Sequence, residues 1–186
     1  MTKGCYGYLK RQKKMEILKT ILYFGLSGAV FAAGYFTTGT KTNLLTIVAV
    51  LGCLPASKSM VSMIMYLRAG VCSKQCYEAV RELAAEDMTV LYDLYLTAYK
   101  ENFQLSAAVV RSGNLCGFTE DSACDLSAGE KHMGEILRQS GYNNLTVKLF
   151  DKLPGFTDRM KQLASLPEKD EKKDEAIAEI LRDISL

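Results

Sequence analysis

Histidine is nearly absent from this chain of 186 residues, and the shortage restricts the chemistry that its side chains can perform. His132 is the only histidine, so any catalytic triad with a histidine base would depend on it. We expect it beside Ile136, at the edge of the apolar face of a helix. A thiol–imidazole pair with Cys116 or Cys124 would be a catalytic site. Nothing in the sequence brings those residues together, so we interpret His132 as a helix-surface residue.

Motifs for metals, nucleotides and nucleic acids are also missing. No CxxC pair occurs, which indicates neither a zinc ribbon nor a disulfide framework. No Gly-rich loop stands in a Gly-Lys-Ser/Thr context, and no basic patch is interleaved with aromatics. We therefore predict no cofactor, no metal and no nucleic-acid partner. Cys72 and Cys76 have helical i, i+4 spacing, so they could be acylated or hold a metal with a third ligand, but buried thiols are the expectation.

Charge is absent from Thr20 to Thr38, a run of nineteen residues that as a helix would cross the ~30 Å hydrocarbon core of a bilayer. A secretory signal peptide is the alternative interpretation. The long leader and the long uncharged run favour a retained anchor. A second apolar segment runs from Leu44 to Leu67 after a short polar turn. The sequence therefore predicts a two-helix transmembrane hairpin at 20–67.

Two residues interrupt the second segment, Pro55 and Lys58. A charge at mid-bilayer costs about 2.5–3.5 kcal/mol, so we expect Lys58 at the interface and a span of about 43–58. Residues 60–70 would be either the continuing helix near the interface or an amphipathic segment lying on it, and we expect Arg68 at the interface as well.

Positive charge flanks the hairpin unequally. The leader at 1–19 holds six lysines and arginines, whereas the turn between the spans holds only Lys41. The positive-inside rule predicts a multi-pass protein of the cell membrane, bacterial in type, with both termini in the cytoplasm. The bilayer is one predicted partner, and anionic lipids would attract the leader by about 1 kcal/mol per basic residue.

Small residues recur along both spans and predict that the two helices pack on each other. The same stripe could serve self-association, which the sequence leaves open. The predicted packing residues are Gly25, Gly28, Ala29, Ala32, Ala33, Gly52 and Ala56.

A small cytoplasmic α/β (α+β) domain is predicted at 70–166, in the order α-β-β-β-α-β-α. We expect a helix capped by Ser73, strands near 88–99, 103–111 and 115–120, a helix with a Ser127–Glu130 capping box, a strand at 145–151 and a short helix at 157–166. A single helix over 78–99 is the competing interpretation. A charged linker and an amphipathic helix follow at 167–186, and the helix would pack on its own domain or on a partner.

Within the first strand, period-2 alternation predicts Val90, Tyr92, Leu94 and Leu96 on one side.

This order of elements is similar to the core of the restriction-endonuclease-like fold over about 73–151. Enzymes of that fold carry an acidic residue on one strand and Glu-x-Lys or Asp-x-Lys on the next, which together hold a divalent metal. Here the middle strand ends in Val109-Val110-Arg111 and has no such triplet. The resemblance therefore implies a topology and leaves the metal chemistry in doubt.

Glu120, Asp121 and Asp125 form an acidic loop that, with His132, supplies the only candidate catalytic residues. Their spacing fits no defined metal loop. We therefore predict an accessory or scaffolding protein that acts through protein–protein interaction of its cytoplasmic domain, with another membrane or cytoplasmic protein or by self-association. The alternatives are a membrane-tethered metal-dependent hydrolase or nuclease-like protein, and a small transport or pore subunit centred on Lys58.

Overall fold

The computed structural model describes residues 2–41, 43–85, 88–98, 101–143, 145–166 and 171–186. These residues form six helices and one mixed sheet of four strands. They divide into two compact units: a domain of Met1–Leu9 with Gly70–Leu186, and a hairpin of Lys10–Ala69. The elements in chain order are α1 Tyr8–Thr38, α2 Leu44–Arg68, α3 Lys74–Leu83, β1 Thr89–Thr97, β2 Asn102–Arg111, β3 Asn114–Phe118, α4 Leu126–Gln139, β4 Thr146–Phe150, α5 Leu153–Ala164 and α6 Glu171–Ile184.

The hairpin consists of the long apolar helices α1 and α2. Among the described residues, these two are long and apolar enough to cross a membrane. Helix α1 begins at Tyr8, so most of the basic leader is already helical. Asn43 caps α2 by accepting a hydrogen bond from the amide of Thr46. Helix α2 continues through Pro55 to Arg68, so the continuing helix expected over residues 60–70 is confirmed up to Arg68, while its place near a membrane interface stays a prediction.

The domain is built on a sheet in the order β1-β2-β3-β4. The first two pairings are antiparallel and form a meander, while β4 runs parallel to β3 after the crossover helix α4. Helices α4 and α6 pack on one face, and α3 and α5 pack on the other. The predicted order of helices and strands is confirmed. The alternative helix over 78–99 is wrong, because α3 ends at Leu83 and β1 begins at Thr89.

Helix caps decide two details of the domain. Ser73 caps α3 as predicted, since its side chain accepts a hydrogen bond from the amide of Cys76. The predicted capping box of α4 is wrong, because Asp125 is the cap and bonds the amide of Ala128. An aspartate two residues earlier offers the same kind of acceptor as Ser127, and the helix starts there.

Glu130, which does not form the predicted capping box, contacts the free edge of the sheet. Its carboxylate accepts a hydrogen bond from the amide of Leu149 on β4 at 2.9 Å and lies 3.1 Å from the ammonium of Lys148. Since β4 is the last strand of the sheet, Glu130 occupies an amide that would otherwise face an open edge.

The C-terminal helix α6 packs on its own domain. Ile177, Ala178 and Leu181 are fully buried in the core cluster that α6 shares with the sheet and α4. The carboxylate of Asp174 accepts hydrogen bonds from the amides of Ser112 and Gly113, both at positive φ in the β2–β3 turn. The charged linker before α6 falls largely at 167–170, outside the described residues.

Candidate functional site

Asp93 lies at an irregular point in the middle of β1. Its φ is +54°, in the left-handed region that few residues other than glycine adopt. Tyr92 pairs with Ala107 and Leu94 with Leu105, so Asp93 stands opposite Ser106, outside the recorded pairs of the ladder. The residue is 2% exposed. A strained backbone position with a buried carboxylate is an unusual feature for a strand, and it marks this place in the domain.

The irregularity changes which side chains share a face of the sheet. Val90 and Tyr92 pack against the cluster under α3 and α5, whereas Leu94 and Leu96 belong to the cluster under α4 and α6. The prediction that these four residues share one side is therefore wrong. The left-handed conformation of Asp93 reverses the alternation that a regular strand would keep.

The carboxylate of Asp93 joins two segments that are distant in sequence. Its two oxygens accept hydrogen bonds from the amide of Gly7 at 2.8 Å and from the amide of Cys72 at 2.7 Å. Gly7 directly precedes α1, and Cys72 lies four residues after α2 ends. One buried charge thus holds the chain at both points where it passes between the domain and the hairpin sequence.

Further hydrogen bonds hold the same two segments. The side-chain oxygen of Gln104 accepts a hydrogen bond from the amide of Gly70, and the carbonyl of Gly4 accepts one from the amide of Tyr92 on β1. The ammonium of Lys3 bonds the carbonyl of Ser185 near the C-terminus. Residues 2–9 are therefore a structural part of the domain.

Three cysteines belong to the cluster under α3 and α5: Cys72, whose amide binds Asp93, Cys76 and Cys116. A hydrogen bond with the Cys76 thiol, followed by burial, raises the pKa of Cys72 well above its ordinary value, and the charges of Asp93 and Glu120 act in the same direction. Burial likewise raises the pKa of Cys116, against the opposing effect of Arg159. A raised pKa keeps the thiols of Cys72 and Cys116 protonated at neutral pH, so neither of these two is an activated nucleophile.

We call Asp93 and the amides of Gly7 and Cys72 that it binds the clamp. Three tyrosines lie beside it, at a surface that the described residues leave partly open. Tyr6 stacks on Tyr77 with ring centroids 4.0 Å apart, and Tyr92 lies 5.3 Å from Tyr77. All three are half-buried. Burial raises the pKa of Tyr92, and the guanidinium of Arg81 acts in the opposite direction. The result is an aromatic patch with basic charge next to it.

The carboxylates of the acidic loop are engaged in separate local contacts. Glu120 accepts the amide of Ser73 at 2.9 Å, Asp121 accepts the amide of Ala123, and Asp125 caps α4. Within the described part of the chain, no three His, Cys, Asp or Glu residues stand close enough together to hold a metal ion. Each carboxylate thus has a backbone amide as its partner.

His132 lies half-buried on α4, where its ring centroid is 5.5 Å from that of Phe103. Phe103 belongs to the core cluster under α4, while Cys116 belongs to the cluster on the opposite face of the sheet. The sheet therefore separates His132 from Cys116. Cys124 packs against the same cluster as His132, and burial raises the pKa of its thiol.

The predicted packing residues of the hairpin divide between contact and open surface. Ala56 is fully buried, and a Cβ on Gly52 would lie 2.7 Å from Ser27 Oγ. At Gly25 and Gly28, apart from the backbone of α1 around each glycine, the described residues place no atom within 4 Å of where a Cβ would stand. Ala29 and Ala33 are exposed and Ala32 is half-buried. The contact on α1 instead uses residues at seven-residue spacing that the sequence analysis did not single out: Thr20, Ser27 and Gly34.

Lys58 and Arg68 are both exposed on α2. Lys58 precedes Ser59, whose hydroxyl lies 2.9 Å from that of Thr20 on α1. This hydrogen bond places Lys58 and Lys19 at the same level of the hairpin.

No family model, no curated protein and no solved structure matches the chain. The residues themselves carry the functional argument.

Proposed function

We propose that the chain is a two-pass membrane protein of the cell membrane whose cytoplasmic domain acts as an accessory or scaffolding component by binding another protein. The observation that carries the membrane placement is the surface of the hairpin. Of the large apolar side chains that the described residues expose, all but Val71 and Leu166 lie in the hairpin. A soluble surface rarely carries so much exposed apolar area, whereas a bilayer requires it.

The orientation follows from charge. Lys10, Arg11 and Lys14 are exposed on the first turns of α1, and Arg68 is exposed at the end of α2. These ends lie on the same side of the hairpin, because Thr20 meets Ser59. The positive-inside rule then supports a cytoplasmic position for the domain and both termini.

The aromatic patch is the surface that best supports a protein partner. Helix α6 is not free to dock elsewhere, since its apolar residues are buried in its own domain. Tyr6 and Tyr77 instead present half-buried rings beside the exposed Arg81. Tyrosine and arginine are enriched among the residues that dominate binding energy at interfaces. The partner would present apolar and acidic groups to this patch.

The experiment compares cross-linked partners of two tyrosine variants in the native membrane. We expect Tyr77→Ala to lose a stoichiometric cross-linked protein that the parent chain and Tyr142→Ala retain. Tyr142 is the matched control because it is also half-buried but packs on the opposite face of the sheet. Loss of the same protein from both variants, or from neither, would contradict the proposed surface.

The sheet supports one alternative. A meander followed by a helix crossover to a parallel strand is the order that resembles the restriction-endonuclease-like core, and it favours a membrane-tethered metal-dependent hydrolase as the second hypothesis. Its test is the thermal stability of the full chain with and without Mg²⁺. Metal-dependent stabilisation that disappears in Asp121→Ala would support it, and the absence of any stabilisation would contradict it.

A further inference from the structure

The two sides of the α1–α2 pair each carry an apolar groove. On one side the groove encloses about 250 Å³ and is lined by Tyr23, Leu26 and Val30 of α1 with Val48, Gly52 and Pro55 of α2. On the other side a groove of about 270 Å³ is lined by Phe24, Gly28 and Phe31 of α1 with Val50 and Cys53 of α2. The grooves are similar in size and composition, so the groups at their ends distinguish them.

The first groove ends at two lysines. The hydroxyls of Thr20 and Ser59 lie 2.9 Å apart. Lys19 directly precedes Thr20, and Lys58 directly precedes Ser59. Because the helices are antiparallel, residues that precede a contact by one position lie on the same side of the pair. Tyr23 follows Lys19 by four residues and Pro55 precedes Lys58 by three, so the first groove lies on the side of the lysines.

The second groove has no charge at its corresponding end. The residues that follow the same contact, Ile21 and Met60, point to that side and are exposed apolar residues. The two sides of the hairpin thus differ by two lysines at one level, Lys19 with its partner Glu16 and the exposed Lys58.

If the hairpin spans a bilayer as proposed above, Lys19 and Lys58 lie at the edge of its hydrocarbon core. The uncharged run of α1 begins at Thr20, and its nineteen residues rise about 28 Å as a helix, close to the hydrocarbon thickness of ~30 Å. The ammonium groups of Lys19 and Lys58 then stand among the lipid headgroups. Lys19 is paired with Glu16 at 2.7 Å on an exposed surface, and Lys58 makes no ion pair within the described residues.

We propose that this side of the hairpin binds one anionic phospholipid, with the phosphate between Lys19 and Lys58 and an acyl chain in the groove of Tyr23 and Pro55. Charge complementarity selects the occupant, since two ammonium groups at the end of an apolar groove match a molecule with a phosphate at the end of a hydrocarbon chain. The inference rests on the proposed membrane insertion and adds a lipid class to it.

The test measures lipid retained by the full chain in nanodiscs of phosphatidylglycerol and phosphatidylcholine, by native mass spectrometry after release. We expect one phosphatidylglycerol per chain. Lys19→Gln/Lys58→Gln should weaken its binding roughly 30-fold, at about fivefold per lysine near the surface. Lys10→Gln/Lys14→Gln is the matched control, because it removes the same charge from the leader and should retain the lipid. Equal loss of phosphatidylglycerol in both double variants would mean that basic residues attract the lipid without a specific site, and would overturn the proposal.

A second pair of variants tests the groove without changing charge. Val48→Phe fills the first groove and should release the lipid, whereas Val50→Phe fills the second and should not. Soluble glycerol phosphate should fail to displace the lipid, and full displacement would show a phosphate site that needs no acyl chain. Alkaline extraction of the parent chain from membranes separates the two proposals: a chain that resists extraction but retains no lipid overturns the lipid site alone.

Discussion

The hairpin and the domain bury opposite kinds of residues. Where α1 meets α2, the buried residues are small or hydroxylated, such as Thr20, Ser27 and Ala56, while the large apolar side chains point outward. In the domain, the large residues Phe156, Leu105 and Met133 are fully buried. Small residues let membrane helices approach closely, whereas large ones fill a core that excludes water. This difference is the one expected of a chain whose two regions face different solvents, and it supports the proposed membrane placement.

The largest expected effect compares two phenylalanines, one from each region. Phe156 is fully buried, with its ring 5.7 Å from that of Phe118, so Phe156→Ala should lower the free energy of unfolding of the domain by about 3–5 kcal/mol. Phe36 is 83% exposed, and Phe36→Ala should leave that free energy unchanged. Urea unfolding of the full chain in mild detergent measures both. Similar losses in the two variants would break the comparison.

A charge introduced into each region gives the next largest effect. Leu51 is exposed and lies level with the middle of the uncharged run of α1, since its neighbour Gly52 meets Ser27. Leu51→Arg should cost membrane insertion about 2.5–3.5 kcal/mol and reduce the fraction that resists alkaline extraction. The exposed Thr97 of the domain provides the control, Thr97→Arg, which should insert normally. Normal insertion of both variants would argue that α2 lies outside the hydrocarbon.

Substitutions at Asp93 test which contacts stabilise the domain. Asp93→Ala leaves the amides of Gly7 and Cys72 without their acceptor, which should destabilise the domain by about 2 kcal/mol. Asp93→Asn keeps one acceptor oxygen and tolerates the left-handed backbone, so it should lose less. Thermal unfolding followed by circular dichroism orders the three proteins. An asparagine variant weaker than the alanine variant would contradict the clamp.

Two glycines of α1 give the smallest effect. A Cβ on Gly34 would lie 2.7 Å from Cβ of Leu45, so Gly34→Ala should weaken the pairing of α1 with α2 by about 1 kcal/mol. Gly28 has open space around the same position, and Gly28→Ala should not weaken the pair. Titration of the detergent-solubilised chain with SDS compares the two. A greater loss in Gly28→Ala would show that its surface is covered, for example by a second copy.

Elements with a local signal could be predicted from the sequence. The uncharged run at Thr20–Thr38 marks α1, and Ser73 marks the start of α3. The clamp could not be predicted, because it joins Gly7, Cys72 and Asp93 through contacts that no local pattern records. The one available signal was an aspartate in the middle of the apolar strand Thr89–Thr97. Glu130 was misassigned for the same reason, since its partner amide lies nineteen residues away on β4.

Residues 2–9 belong to the domain, and this has a consequence for the order in which the protein forms. The hairpin is an insertion between Leu9 and Gly70 of one folding unit. During synthesis, Lys3, Gly4 and Gly7 leave the ribosome long before their partners Ser185, Tyr92 and Asp93. The residues of the hairpin are therefore synthesised before the domain can close, so a hairpin that enters a membrane as proposed can do so before the domain folds. An enzyme or fluorescent tag joined directly before Lys3 would therefore crowd this closing step.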